Sequence, residues 1–119
     1  MGTFILIIDD EPDICKLLQL SLAKQGYQVK YVHGLKEGLK CLEARPPDIL
    51  FLDIHLPDGS GLEALPRIRK QHDSLVIITI SAYDSGHEKQ EALSNGASYF
   101  LPKPFNVNKL RDLLQGLHS

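Results

Sequence analysis

Short apolar runs rich in β-branched residues alternate with longer amphipathic segments along this 119-residue chain, and this alternation constrains the fold most. Residues 4–8 (FILII), 49–52 (ILFL) and 75–80 (LVIITI) are almost continuously apolar. Strands of that kind are covered on both faces, as in a parallel sheet flanked by helices. Residues 28–32 (QVKYV) alternate instead and predict an edge strand with one wetter face. Residues 98–101 (SYFL), which stop at Pro102, predict a second edge strand.

The intervening segments carry helical spacing. Ile14, Leu17, Leu18 and Leu22 form a stripe after Pro12, a favourable first-turn residue, with Gly26 as a stop. Leu35, Leu39 and Leu42 form a second stripe, ended by Pro46 and Pro47. Leu62, Leu65 and Ile68 form a third, in which Pro66 requires a kink or a late helix start. Val107, Leu110, Leu114 and Leu117 form the last. Between residues 85 and 95 the only apolar anchors are Ala92 and Leu93, so a helix there is weakly held, as a movable element must be. Five strands alternating with five helices predict an α/β, flavodoxin-like doubly wound (βα)5 domain over residues 1–119, with a five-stranded parallel sheet in order 2-1-3-4-5.

Ligands of such sheets bind beyond the carboxyl ends of the strands. Asp9 and Asp10 follow the first strand, Asp53 ends the third, Ser81 the fourth, and Lys103 follows the fifth. Two carboxylates ~5 Å apart repel by roughly 3 kcal/mol at an effective dielectric near 20. Three of them in one cleft are therefore raised in pKa or bridged by a cation. Oxygen ligands without a His–Cys cluster suit Mg2+, with Mn2+ as the alternative, and Mg2+ commonly shares its oxygens with a phosphate. Lys103 and Ser81 supply a cation and a hydroxyl donor for phosphoryl oxygens, and Asp is a known nucleophile in acyl-phosphate chemistry.

Taken with the segments Asp9-Asp10-Glu11, Asp53-Ile54-His55-Leu56-Pro57-Asp58-Gly59-Ser60-Gly61, Ser81-Ala82 and Lys103-Pro104-Phe105, the chain resembles the receiver domains of bacterial two-component response regulators over essentially its whole length. The resemblance implies Mg-dependent phosphoryl transfer to Asp53 from the phosphohistidine of a sensor histidine kinase or a phosphotransfer protein. It implies that Asp10 binds the metal directly and Asp9 through water, with the backbone carbonyl of His55 as a further ligand. It makes Ser81 the hydroxyl that moves to meet the phosphate, Lys103 its cationic partner, Phe100 the switch aromatic and Lys103–Pro104 a cis bond. His55 and Tyr83 fall where receivers vary, at positions that shield the acyl phosphate or steer water. Movement of the 81–85 loop and repacking of Phe100 would then alter the face around the fourth helix.

The net charge of −2, with Lys and Arg scattered, argues against nucleic-acid binding and against a polybasic membrane anchor. No apolar run approaches the ~20 residues of a membrane span. A cytoplasmic signalling switch, rather than a turnover enzyme, is the expectation. Cys15 and Cys41 read as free thiols. The Gly59-Ser60-Gly61 segment reads as the turn into the third helix, and the output target, as well as phosphorylation-dependent homodimerisation, stays open. Three rivals compete. A receiver-like module working without phosphorylation would not need every chemical position filled. A haloacid-dehalogenase-type phosphohydrolase would need an Asp where His55 stands, and a flavin domain would need an uncharged phosphate loop after the first strand.

Overall fold

The computed structural model describes residues 2–82 and 86–117. Its main sheet contains β1 (Phe4–Ile8), β2 (Gln28–Val32), β3 (Ile49–Asp53), β6 (Val76–Ser81) and β7 (Tyr99–Pro102). All neighbours are parallel, in the order β2-β1-β3-β6-β7, which is the expected 2-1-3-4-5 arrangement. Between β3 and the third helix, where the residue pattern predicts a turn, β4 (His55–Leu56) and β5 (Gly59–Ser60) form a small antiparallel hairpin.

Period-two alternation divides the core between the two sheet faces. Ile5, Ile7, Ile49, Phe51, Ile78 and Ile80 pack against α1 (Pro12–Lys24) and α5 (Val107–Leu117). Leu6, Ile8, Leu50, Leu52 and Ile77 pack on the opposite face against α2 (Leu35–Ala44), α3 (Gly61–Gln71) and α4 (His87–Ser94). The three central strands are therefore almost wholly buried, as their continuous apolar runs require, whereas both edge strands carry exposed residues.

Capping explains details that periodicity left open. Helix α3 starts at Gly61, not late, because Ser60 Oγ accepts from the Glu63 N–H at 3.2 Å. Pro66 sits inside it on the exposed side and forgoes one bond to the Leu62 carbonyl. Helix α2 begins after Gly34, which has no side chain to cap it. The cap comes from the β4–β5 hairpin tip, where Asp58 accepts from Leu35 N–H at 2.7 Å and Lys36 N–H at 3.0 Å. Those two bonds hold the exposed Asp58 carboxyl below its ordinary range.

Helix α4 is as weakly anchored as its composition predicts: Ala92 is its buried residue, and Leu93 is 41% exposed. The turn after it is better fixed. The Arg69 guanidinium donates to the carbonyls of Gly96, His72, Asp73 and Leu75 at 2.7 to 3.0 Å. Gly96 holds φ 117°, a left-handed conformation that favours glycine. Cys15 is buried and Cys41 half-buried, both as free thiols.

Candidate phosphoryl-transfer site

The parallel register carries the chain's polar strand ends to one edge of the sheet. Asp53 pairs in register with Ile80, one residue before Ser81, and Ser81 pairs with Pro102, one residue before Lys103. The Lys103 N–H donates to the Ser81 carbonyl at 2.8 Å, so the start of the following loop is tied to β6. The Lys103–Pro104 bond is cis. Asp9 follows β1 directly, and its N–H is held by the Val32 carbonyl at 3.1 Å.

The carboxylates are close and poorly solvated. Asp9, Asp10 and Asp53 each place an oxygen within 4.8 Å of the others. Asp9 is completely buried and Asp53 nearly so, while Asp10 faces solvent. One oxygen of each buried acid is bound by a backbone N–H two residues on: Glu11 N–H to Asp9 Oδ1 at 2.8 Å, and His55 N–H to Asp53 Oδ1 at 3.0 Å. The other oxygens face Lys103 Nζ, at 3.1 Å from Asp9 Oδ2 and 3.2 Å from Asp53 Oδ2. Asp9 Oδ2 is charge-paired there but receives no well-directed hydrogen bond. Glu11 Oε1 is the third partner of this ammonium, at 2.6 Å.

Burial pushes the Asp53 carboxyl up to about 6, and the Asp9 charge adds to that; the His55 N–H and Lys103 oppose it. Asp9 is likewise raised by burial, against the bond from Glu11 and the charge of Lys103. For Lys103 burial acts downward, but the bond to Glu11 and the charges of Asp9 and Asp53 outweigh it and keep the ammonium protonated. Burial and the Asp9 charge push the nearby Cys15 thiol up to about 12, so it stays protonated.

These shifts fix a sign for stability. The folded protein holds the Asp53 proton up to about 6, against an ordinary carboxyl value of 3.8. Unfolding therefore releases that proton between these pH values, and metal-free stability falls as pH rises through the window. Asp53→Asn lacks this penalty. In the absence of divalent cations it should match the wild type near pH 4 and exceed it by about 3 kcal/mol at pH 7. Urea denaturation at the two pH values checks this; an Asn variant less stable than wild type at pH 7 contradicts it.

The structure thus brings together Asp9, Asp10, Asp53, Ser81 and Lys103, all expected at this edge. It also brings in two residues, Glu11 and Glu88, whose part in the site the sequence pattern does not show. Glu11 was legible only as another acid in the run after β1. Glu88, in the first turn of α4, had no sequence signal: its Oε1 accepts from Ser81 Oγ at 2.6 Å, and its Oε2 lies 2.8 Å from His55 Nε2. The His55 ring is exposed and turned to Glu88. Phe100 is half-buried, packed against the α2–α3–α4 side of the core. Tyr83, and the part of the 81–85 loop that it shares with Asp84 and Ser85, lie outside the described residues.

Residues 5–115 match the family described as the response regulator receiver domain. The response regulator protein PilR of Pseudomonas aeruginosa is 38% identical over 109 residues, covering 92% of this chain and 24% of PilR. The transcriptional regulatory protein TrcR of Mycobacterium tuberculosis is 34% identical over 113 residues, covering 95% of this chain and 44% of TrcR. The chain therefore spans less than half the length of these two curated relatives. Among solved structures, a CheY-like receiver domain protein from Methanospirillum hungatei superposes with a TM-score of 0.92 at 28% identity, covering 98% of this chain and 94% of that one. The chemotaxis response regulator CheY4 of Vibrio cholerae gives 0.90 at 27% identity, covering 98% and 99%.

Proposed function

Because the chain belongs to the response regulator receiver domain family, we propose that Asp53 is its phosphoacceptor, in a single receiver domain spanning residues 1–119. The observation that carries this reading is the Lys103 ammonium held between Asp53, Asp9 and Glu11 at the carboxyl ends of the strands. The Asp53 carboxylate attacks the phosphorus of a phosphohistidine on a sensor histidine kinase or phosphotransfer protein. The P–N bond breaks, its electron pair returns to the imidazole, and an acyl phosphate forms on Asp53. With its carboxyl at about 6, Asp53 is largely ionised at neutral pH and so competent as the nucleophile. Lys103 stands 3.2 Å from the nucleophilic carboxylate and can turn to a phosphoryl oxygen without leaving the site. Ser81 offers a hydroxyl donor on the adjacent strand.

The donor set fits a hard divalent cation. Three carboxylates converge, no thiolate or imidazole joins them among the described residues, and buried Asp9 Oδ2 lacks a well-directed donor. Asp9, Asp10 and Asp53, with the His55 backbone carbonyl, are the residues that would hold Mg2+, or Mn2+ in its place. Bound there, Mg2+ would offset the negative charge shared by the carboxylates and the incoming phosphoryl group. Asp10 is the exposed member, so its substitution tests the site with little disturbance to the core. Asp10→Asn should weaken Mg2+ binding by about tenfold, a charge-assisted ligand lost from a small set. Calorimetric titration reads this, and an unchanged affinity would remove Asp10 from the site.

In this reading the domain is a signalling switch rather than a turnover enzyme, and it works in the cytoplasm. Among the described residues no helix is long and apolar enough to cross a membrane. Phosphorylation adds about −1.5 to −2 of charge. Ser81 and Lys103 turn towards it, Phe100 repacks as the switch aromatic, and the weakly anchored α4 shifts, drawing on a minor state already present. The altered face engages a downstream target, an output domain or a second copy, and makes no direct contact with nucleic acid.

A further inference from the structure

The Ser81 hydroxyl expected to meet the phosphoryl group is already engaged. It donates to Glu88 Oε1 at 2.6 Å, while Glu88 Oε2 lies 2.8 Å from His55 Nε2. Glu88 is mostly buried, at 17% side-chain exposure, so this carboxylate is held in place rather than sampling solvent. It therefore bridges the end of β6 and the start of β4, just after Asp53, from the first turn of α4.

A hydroxyl has one proton and cannot donate it to two acceptors at once. Ser81 can serve Glu88 or a phosphoryl oxygen, not both. A phosphoryl group on Asp53 would also bring a second strong negative charge towards the Glu88 carboxylate. We propose that Glu88 is a positioning residue that competes with the phosphoryl group for Ser81, so that phosphorylation of Asp53 displaces Glu88 and frees the start of α4. The proposal rests on the phosphoacceptor reading above. It also gives α4 a defined reason to move: Ala92 is the buried anchor of this eight-residue helix, so the contacts of Glu88 are a large share of what holds its first turn.

The competition predicts that removing Glu88 favours the phosphorylated arrangement. Beryllium fluoride with Mg2+ is the probe, titrated into the full chain and followed by the amide signals of Ala82 and Gly86 in heteronuclear NMR. Glu88→Ala should tighten the apparent beryllium fluoride affinity by about tenfold, the worth of one hydrogen bond to a charged acceptor. Glu88→Gln, which keeps the volume and an acceptor oxygen but loses the charge, should lie between. With Ser81→Ala in the background, Glu88→Ala should produce much less tightening, because the contested proton is gone. Unchanged or weaker binding by Glu88→Ala and Glu88→Gln, or equal tightening with and without the Ser81 hydroxyl, would overturn the competition. A wild-type protein without any response to beryllium fluoride would overturn the phosphoacceptor reading itself, and the role of Glu88 with it.

Discussion

Gly61→Ala should destabilise the protein by about 3 kcal/mol, equivalent to roughly 10 °C in Tm, although it adds a single methyl group. Gly61 opens α3 immediately behind the site, and its N–H donates to the Ile54 carbonyl at 2.9 Å. A Cβ there would overlap the carbonyl oxygen of Asp53 and lie 3.1 Å from Ile54 Cα. Both obstacles are backbone, so no rotamer change relieves them; α3 or the end of β3 must move. Since Asp53 and the His55 N–H that binds it lie in that backbone, the variant should also bind Mg2+ more weakly. Gly116→Ala is the control. Its Cβ would meet nothing within 4 Å in α5, and alanine should stabilise that helix by about 0.5 to 1 kcal/mol. Thermal unfolding of the two variants distinguishes crowding from helix propensity. A Gly61→Ala protein within 1 °C of wild type, read against roughly 10 °C expected, would contradict the close approach.

The same packing shows which parts of the molecule were readable from residues alone. Three continuous apolar runs marked the central strands because parallel central strands must be apolar on both faces, and Ile5, Leu6, Ile7 and Ile8 indeed alternate between two cores. The sheet edge collecting Asp9, Asp53, Ser81 and Lys103 was readable for the same reason, since each lies at or next to the end of a recognisable strand. The bonds that lock local geometry were not. Asp58 caps a helix that begins 23 residues earlier in the chain, and Arg69 holds a turn 27 residues later. Such contacts depend on tertiary approach, and nothing at either end marks them. Ser60 and Glu63 did carry a local capping signature, but glycines on both sides of Ser60 made the segment read as a turn. Glu88 was hidden differently: an acid in a first helical turn has an ordinary explanation in the helix dipole, and only the structure turns it towards Ser81.

The largest effect expected of any substitution belongs to Asp53. The amide of Asp53→Asn lacks the anionic oxygen that attacks phosphorus, so phosphorylation should be lost outright rather than slowed. Stability offers no competing explanation, because the metal-free variant is expected to be the more stable protein at pH 7. Removal of Mg2+ should have nearly the same effect on the wild type, since the carboxylate cluster would then face the incoming phosphoryl charge with Lys103 as its countercharge. The measurement is intact-mass spectrometry after incubation with acetyl phosphate and Mg2+. Wild type should gain one phosphoryl group that hydroxylamine removes, and Asp53→Asn, or wild type with the metal chelated, should gain none. Hydroxylamine-sensitive labelling that persists in Asp53→Asn, or a folded wild type that takes up no phosphoryl group, would contradict the account.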